Sequence, residues 1–232
     1  MKKVAIVTAA GKGIGAAIAR QLALNGYEVA LMSPSGAAVG VAQELGGIGL
    51  AGSVTSLEDL ESLVKTTLSR YGRIDAVVHN IGHLPFGDLL ELDDQSWTGG
   101  FEMIILSAIR MMRLVTPVFL EQGHGAVVNI SAYGAVAPEQ SFPISSSLRA
   151  ALSAFTRLYA QRYADKNIRM NAVLPGFVDS WDAPPEIIAR IPMKRLATTD
   201  EVAKTVEFLL SDGAGYITGQ NILVDGALVN TL

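Results

Sequence analysis

The stretch Val4-Ala5-Ile6-Val7-Thr8-Ala9-Ala10-Gly11-Lys12-Gly13-Ile14-Gly15-Ala16-Ala17-Ile18 decides the fold. Residues 4–7 form a short apolar, β-branched run, the pattern of a buried strand. The glycine-rich residues 8–15 break it, and residues 16–23 return to apolar spacing of helical period. Strand, glycine-rich turn and helix in that order make the geometry that receives a dinucleotide. The glycines let the backbone approach a pyrophosphate. The helix amino terminus offers it unpaired N–H groups and a partial positive charge.

Working outward, strand-like runs alternate with helical patterns along the chain. Strands are expected over residues 28–32, 48–51, 74–79, 126–131, 168–173 and 222–225. Helices are expected over residues 35–46, from an N-cap at Ser56 to Tyr71, over 97–122 through Pro117, over 145–164, and over 199–210. Such alternation predicts an α/β fold: a Rossmann-type, doubly wound parallel sheet of about seven strands with helices on both faces. The 232 residues, without repeats or linkers, read as one domain, 1–232. Ligands of such sheets bind at the carboxyl ends of the strands, where the strand order reverses. Residues just after the first, fourth, fifth and sixth strands are therefore the places to look for chemistry.

The order of segments resembles the short-chain dehydrogenase/reductase family over nearly the whole chain. Thr8 through Gly15 is similar to that family's Thr-Gly-x-x-x-Gly-Ile-Gly, with Ala9 in place of the first glycine. Asn80-Ile81-Gly82 is similar to its Asn-Ala-Gly. Pro175-Gly176-Phe177-Val178-Asp179-Ser180 is similar to its Pro-Gly-x-x-x-Thr, which holds the nicotinamide amide. Residues 215–220, followed by Val224-Asp225-Gly226, look like its carboxyl-terminal signature. The resemblance implies that Thr8, Gly11, Lys12, Gly13, Ile14, Gly15, Ser33, Asn80, Gly82, Arg149, Pro175, Gly176, Val178 and Ser180 bind the cofactor. It implies a homo-oligomer, a tetramer or a dimer, acting on a small-molecule substrate.

The resemblance also implies a catalytic set of asparagine, serine, tyrosine and lysine, and the chain departs from it at every position. Arg149-Ala150-Ala151-Leu152 matches the family's Lys-Ala-Ala-Leu, so Arg149 stands at the lysine. Ser145 stands at the tyrosine, Ala132 at the serine and Ile104 at the asparagine. A serine hydroxyl is a far weaker acid than a phenol, and an arginine does not shuttle protons. Loss of a general acid costs about 10²- to 10⁴-fold. Arg149 retains the capacity to hydrogen-bond a ribose or to grip a carboxylate. The candidate catalytic residues are Ser145 and Arg149, with Tyr133 and His83 as substitute acids. His79 reads as a hydrogen-bonded core histidine and His124 as lying at the opposite edge of the sheet, while Phe177 and Trp181 are candidate pocket walls.

Two functions compete. One is an oxidoreductase for a small carbonyl or alcohol with a non-standard acid. The other is a catalytically inactive dinucleotide binder, a cofactor sensor or partner subunit. A resemblance to halohydrin dehalogenases, which use arginine in place of the lysine, fits poorly, because those relatives lose the cofactor glycines and keep the serine and tyrosine. NADP(H) is the expected cofactor, with NAD(H) as the alternative. The second strand ends in Met32-Ser33-Pro34-Ser35 with no acid to repel a 2′-phosphate, and Lys12 is placed to attract one.

Composition excludes other classes. The net charge of −4 without a basic run argues against nucleic acid and anionic membranes as partners. The absence of cysteine excludes disulfides and thiolate zinc sites, and three scattered histidines predict no metal site. A Met1-Lys2-Lys3 start running into a strand, with no stretch of about 18 apolar residues, predicts a cytoplasmic protein without signal peptide or membrane span.

Overall fold

The computed structural model describes residues 2–230. Seven parallel strands form one sheet in the order β3-β2-β1-β4-β5-β6-β7: β1 Val4–Thr8, β2 Glu28–Ser33, β3 Ile48–Ala51, β4 Ala76–His79, β5 Gly125–Ile130, β6 Ile168–Pro175 and β7 Asn221–Val224. The order turns back between β1 and β4, which opens a crevice at their carboxyl ends.

Alternation along the strands builds a core on each side of the sheet. Ala5 and Val7 of β1 face one side and pack with Ile18 and Leu22 of α1 (Gly13–Leu24) and with Val202, Val206 and Leu209 of α8 (Thr199–Leu210). Between them in sequence, Ile6 faces the other side. It joins Leu60, Leu63 and Val64 of α3 (Leu57–Tyr71) and Met111, Val115 and Phe119 of α5 (Ser107–Gln122). The remaining helices are α2 (Ala37–Leu45), α4 (Asp94–Phe101), α6 (Pro143–Tyr163) and the short α7 (Pro185–Arg190).

The structure departs from expectation in particular places. The helix expected over 97–122 begins at Asp94 and contains a π-helical segment, Glu102–Leu106, between α4 and α5. Together these make a 29-residue run that is long and apolar enough, by length and composition alone, to cross a membrane, a feature the sequence pattern did not single out. Here its inner face is spent on the core through Met111, Val115 and Phe119. The fourth strand begins at Ala76, two residues later than expected; Asp75 just before it still donates its N–H to the Val4 carbonyl and accepts the Ala126 N–H, while its carboxylate accepts the N–H of Val4 and pairs with Arg73 and His124. Helix α7 carried no apolar pattern and was not expected.

Candidate active site

The turn after β1 is shaped for close approach. A Cβ on Gly15 would run into the Ala9 carbonyl oxygen and lie 2.8 Å from Asn80 Nδ2. Gly13 has φ of 55°, in the left-handed region that favours glycine. Ala9 holds φ of 47° without that freedom. The first turn of α1 has no side-chain cap and no acid, whereas Ser56, Asp93 and Thr198 cap α3, α4 and α8. Free N–H groups behind a glycine cradle are the anion site that a pyrophosphate needs, so these residues fit a dinucleotide.

Thr8 is fully buried and holds the neighbouring strand. Its hydroxyl donates to the Asn80 carbonyl at 2.6 Å and accepts the Asn80 N–H at 2.9 Å. Thr8 therefore positions Asn80, whose Nδ2 donates to the Ala9 carbonyl at 3.3 Å. Gly11 and Ser33 also pack together, a Cβ on Gly11 falling 2.8 Å from Ser33 Oγ. That oxygen accepts the Ala38 N–H of α2 at 2.9 Å, and Ser33 is buried, so it braces the helix instead of presenting an open hydroxyl. Lys12 and Ser35 are exposed beside it.

A cavity of ≈ 260 Å³ lies over the carboxyl ends of β4, β5 and β6. Ile14, Asn80, Gly82 and His83 line one side, and Pro175, Gly176, Val178 and Ser180 the other. Gly176 must be small, because Cα of Asp225 would lie 2.9 Å from an added Cβ. Ser180 comes over the glycine turn, its Cβ 3.3 Å from the place a Cβ of Gly13 would occupy. The sequence motifs after β1, β4 and β6 thus converge on one crevice.

The floor of the cavity belongs to α6. Arg149 is 9% exposed; its Nε donates to Ser145 Oγ at 3.1 Å and its Nη1 to the Ile130 carbonyl at 2.7 Å. Burial lowers its pKa to about 10, which leaves it charged at neutral pH. Behind it, His79 Nε2–H donates to Ser107 Oγ at 2.8 Å, and that hydroxyl donates to the Met103 carbonyl. Burial, then the charge of Arg149, lowers the His79 pKa to about 4, so the imidazole is neutral, a core histidine as expected. Ile104 is fully buried in the π-helical segment.

Tyr133 contributes its ring to the cavity and stacks on Phe177, with centroids 5.4 Å apart. Its hydroxyl is sealed and has no hydrogen-bond partner; burial, then Glu139, pushes its pKa above the ordinary phenol range. His83 is exposed at the mouth. Trp181 covers the outer face of Phe177, with centroids 5.7 Å apart. His124 lies at the opposite edge with Asp75, 2.7 Å away. Sequence reasoning missed the Glu139–Arg190 ion pair beside Tyr133 and the buried, unpartnered Ser131 hydroxyl. Neither lies in a motif, and Arg190 comes from the unexpected α7.

A family model described as Enoyl-(Acyl carrier protein) reductase matches residues 8–228. The chain is 36% identical to dehydrogenase/reductase SDR family member 4 of Caenorhabditis elegans, covering 97% of this chain and 95% of that protein. It is 32% identical to the 3-oxoacyl-(acyl-carrier-protein) reductase FabG of Staphylococcus epidermidis, covering 98% and 99%. It is also 32% identical to a 3-oxoacyl-(acyl-carrier-protein) reductase of Synechocystis, covering 98% and 97%.

Proposed function

Since the chain belongs to the short-chain dehydrogenase/reductase family, a family of NAD(P)(H)-binding oxidoreductases, we propose that it interconverts a small carbonyl and its alcohol with NADP(H), through a serine–arginine pair in place of a phenolic acid. The observation that carries this reading is the placement of Ser145 and Arg149 on the floor of the cavity that the glycine turn and the 175–180 loop enclose.

The uncapped N–H groups of α1 receive the pyrophosphate, with Gly11, Gly13 and Gly15 giving it room. Lys12 and Ser35 face a 2′-phosphate, and no acid lies in residues 33–36 to repel it, so NADP(H) is preferred over NAD(H). Asn80, Gly82, Pro175, Gly176, Val178 and Ser180 border the nicotinamide. Bound there, the cofactor supplies or accepts the hydride. Ser145 donates its proton in a hydrogen bond to the substrate oxygen, because its own Oγ already accepts from Arg149. The fixed charge of Arg149 stabilises the developing alkoxide. The proton itself comes from solvent at the mouth, where His83 stands; Tyr133 serves only if its ring turns its hydroxyl inward. Exposed Phe101 and Leu120 on the long helix and Leu158 on α6 are apolar surface that a homodimer or tetramer would cover.

One observation favours the second reading, an inactive dinucleotide binder: among the described residues no tyrosine hydroxyl opens into the cavity. Fluorescence titration with NADPH and NADH, followed by oxidation assays over a panel of carbonyls, separates the two. NADPH binding with turnover supports the enzyme, and His83→Ala then lowers the rate more than Tyr133→Phe. Tight binding with no turnover on any substrate overturns it.

A further inference from the structure

The cavity floor holds a charge without an ion partner among the described residues. Arg149 Nε and Nη1 are spent on two neutral acceptors, Ser145 Oγ and the Ile130 carbonyl. No carboxylate among the described residues pairs with it. The third nitrogen, Nη2, makes no hydrogen bond and is not among the sealed atoms, so it faces the cavity that Arg149 lines. Glu139, the acid on the wall, is engaged by Arg190. His79, packed behind, is neutral, so it adds no second positive charge and offers no negative one. Burying a cation with no counter-ion is costly, and a fold that keeps one has a use for an incoming anion.

The chemistry of that anion follows from what lies beside Nη2. Ser145 Oγ accepts one hydrogen bond, from Arg149 Nε, and its own proton is uncommitted. Guanidinium and hydroxyl are therefore neighbouring donors one hydrogen bond apart, pointing from one helix turn into one cavity. A planar guanidinium edge matches a carboxylate. Resting on the oxidoreductase reading above, we infer that the substrate carries a carboxylate directly beside the reacting carbon: a 2-oxo acid or its 2-hydroxy acid. The carboxylate sits on Arg149 and the adjacent keto or hydroxyl oxygen on Ser145. Isolated ketones and aldehydes place no carboxylate on the Arg149 fork and leave its charge without an ion partner in the ground state.

The experiment uses the full chain and oxamate, a 2-oxo acid analogue that is not reduced by hydride. NADPH binding is first measured by fluorescence. Oxamate is then titrated calorimetrically and in thermal unfolding, in parallel with its neutral ethyl ester and with sulfate at matched ionic strength. Oxamate binding with a raised Tm, and no response to the ester or to sulfate, supports the inference. Arg149→Met is expected to lose the oxamate response while its ligand-free form melts above the parent, because the unpaired charge is gone. Should that variant not fold, Arg149→Lys keeps the charge without the fork and is expected to bind oxamate about tenfold or more weakly. Equal responses to ester or sulfate overturn the inference, as does a ligand-free Arg149→Met that folds but melts below the parent. NADPH binding without an oxamate response also overturns it, while the oxidoreductase reading stands. Failure of NADPH to bind is instead the failure of that reading.

Discussion

Ala9 adopts a left-handed backbone where the family pattern has glycine. An L-residue there costs about 1–2 kcal/mol. Ala9→Gly is therefore expected to stabilise the protein by about 1 kcal/mol and to raise Tm by about 2–4 °C; an unchanged or lower Tm in calorimetry would count against strain at this turn. His79 makes a prediction of opposite kind. Its pKa is about 4 in the fold, lowered by burial and then by Arg149, against about 6.5 in the unfolded chain. The unfolded chain thus takes up a proton that the fold refuses. The stabilising contribution is complete above pH 6.5 and fades as pH falls toward 4, by about 3 kcal/mol in all. Urea unfolding across that range should show the loss, and His79→Gln should flatten it; parallel pH curves for the two proteins would dismiss His79 as its source. Asp75 acts at lower pH. Burial raises its pKa, but hydrogen bonds from Arg73, His124 and the Val4 N–H outweigh this and hold it below the usual carboxylate value.

At the scale of elements, α1 and α8 begin in opposite ways. Thr198 and Glu201 form a reciprocal capping box at the start of α8, and Thr198→Ala should cost about 1 kcal/mol in thermal unfolding. The start of α1 has no such cap, which leaves its N–H groups for a phosphate. Gly15→Ala would thrust a methyl group against the Ala9 carbonyl and Asn80, and is expected to weaken NADPH binding by about tenfold or more, read by fluorescence titration. Both helices were legible in the sequence, one from its Thr199-Asp200-Glu201 start and the other from its glycines, although the cap of α8 falls on Thr198, one residue before the expected start. The π-helical segment was not, since Glu102–Leu106 keeps apolar helical spacing and the altered hydrogen bonding is set by what packs on it. Helix α7 escaped for a different reason: it has no buried residue and so leaves no apolar period to read.

For the molecule as a whole, the crevice exists because strand order reverses between β1 and β4. Ligand that binds only the folded state stabilises by mass action: NADPH at about a hundred times its Kd should add about 2.7 kcal/mol. That corresponds to a rise in Tm of about 5–10 °C, and NADH at the same concentration should add less. An identical shift with both would remove the argument from Lys12 and the acid-free 33–36 segment.

The sequence by itself determined the parallel α/β sheet and the strand, glycine turn and helix that open it, and it raised the expectation that Ser145 and Arg149 stand where the family has tyrosine and lysine. Those readings depend on local period, turn chemistry and motif spacing, which neighbouring residues carry. Only the tertiary structure decided how the named residues are used. Thr8 and Ser33 spend their hydroxyls on Asn80 and α2, Tyr133 buries its hydroxyl, and Arg149 stands on the cavity floor without a counter-ion among the described residues. These outcomes depend on which backbone carbonyl, amide or carboxylate from a distant strand lies within hydrogen-bond reach, and that distance is set by packing between elements far apart in the chain.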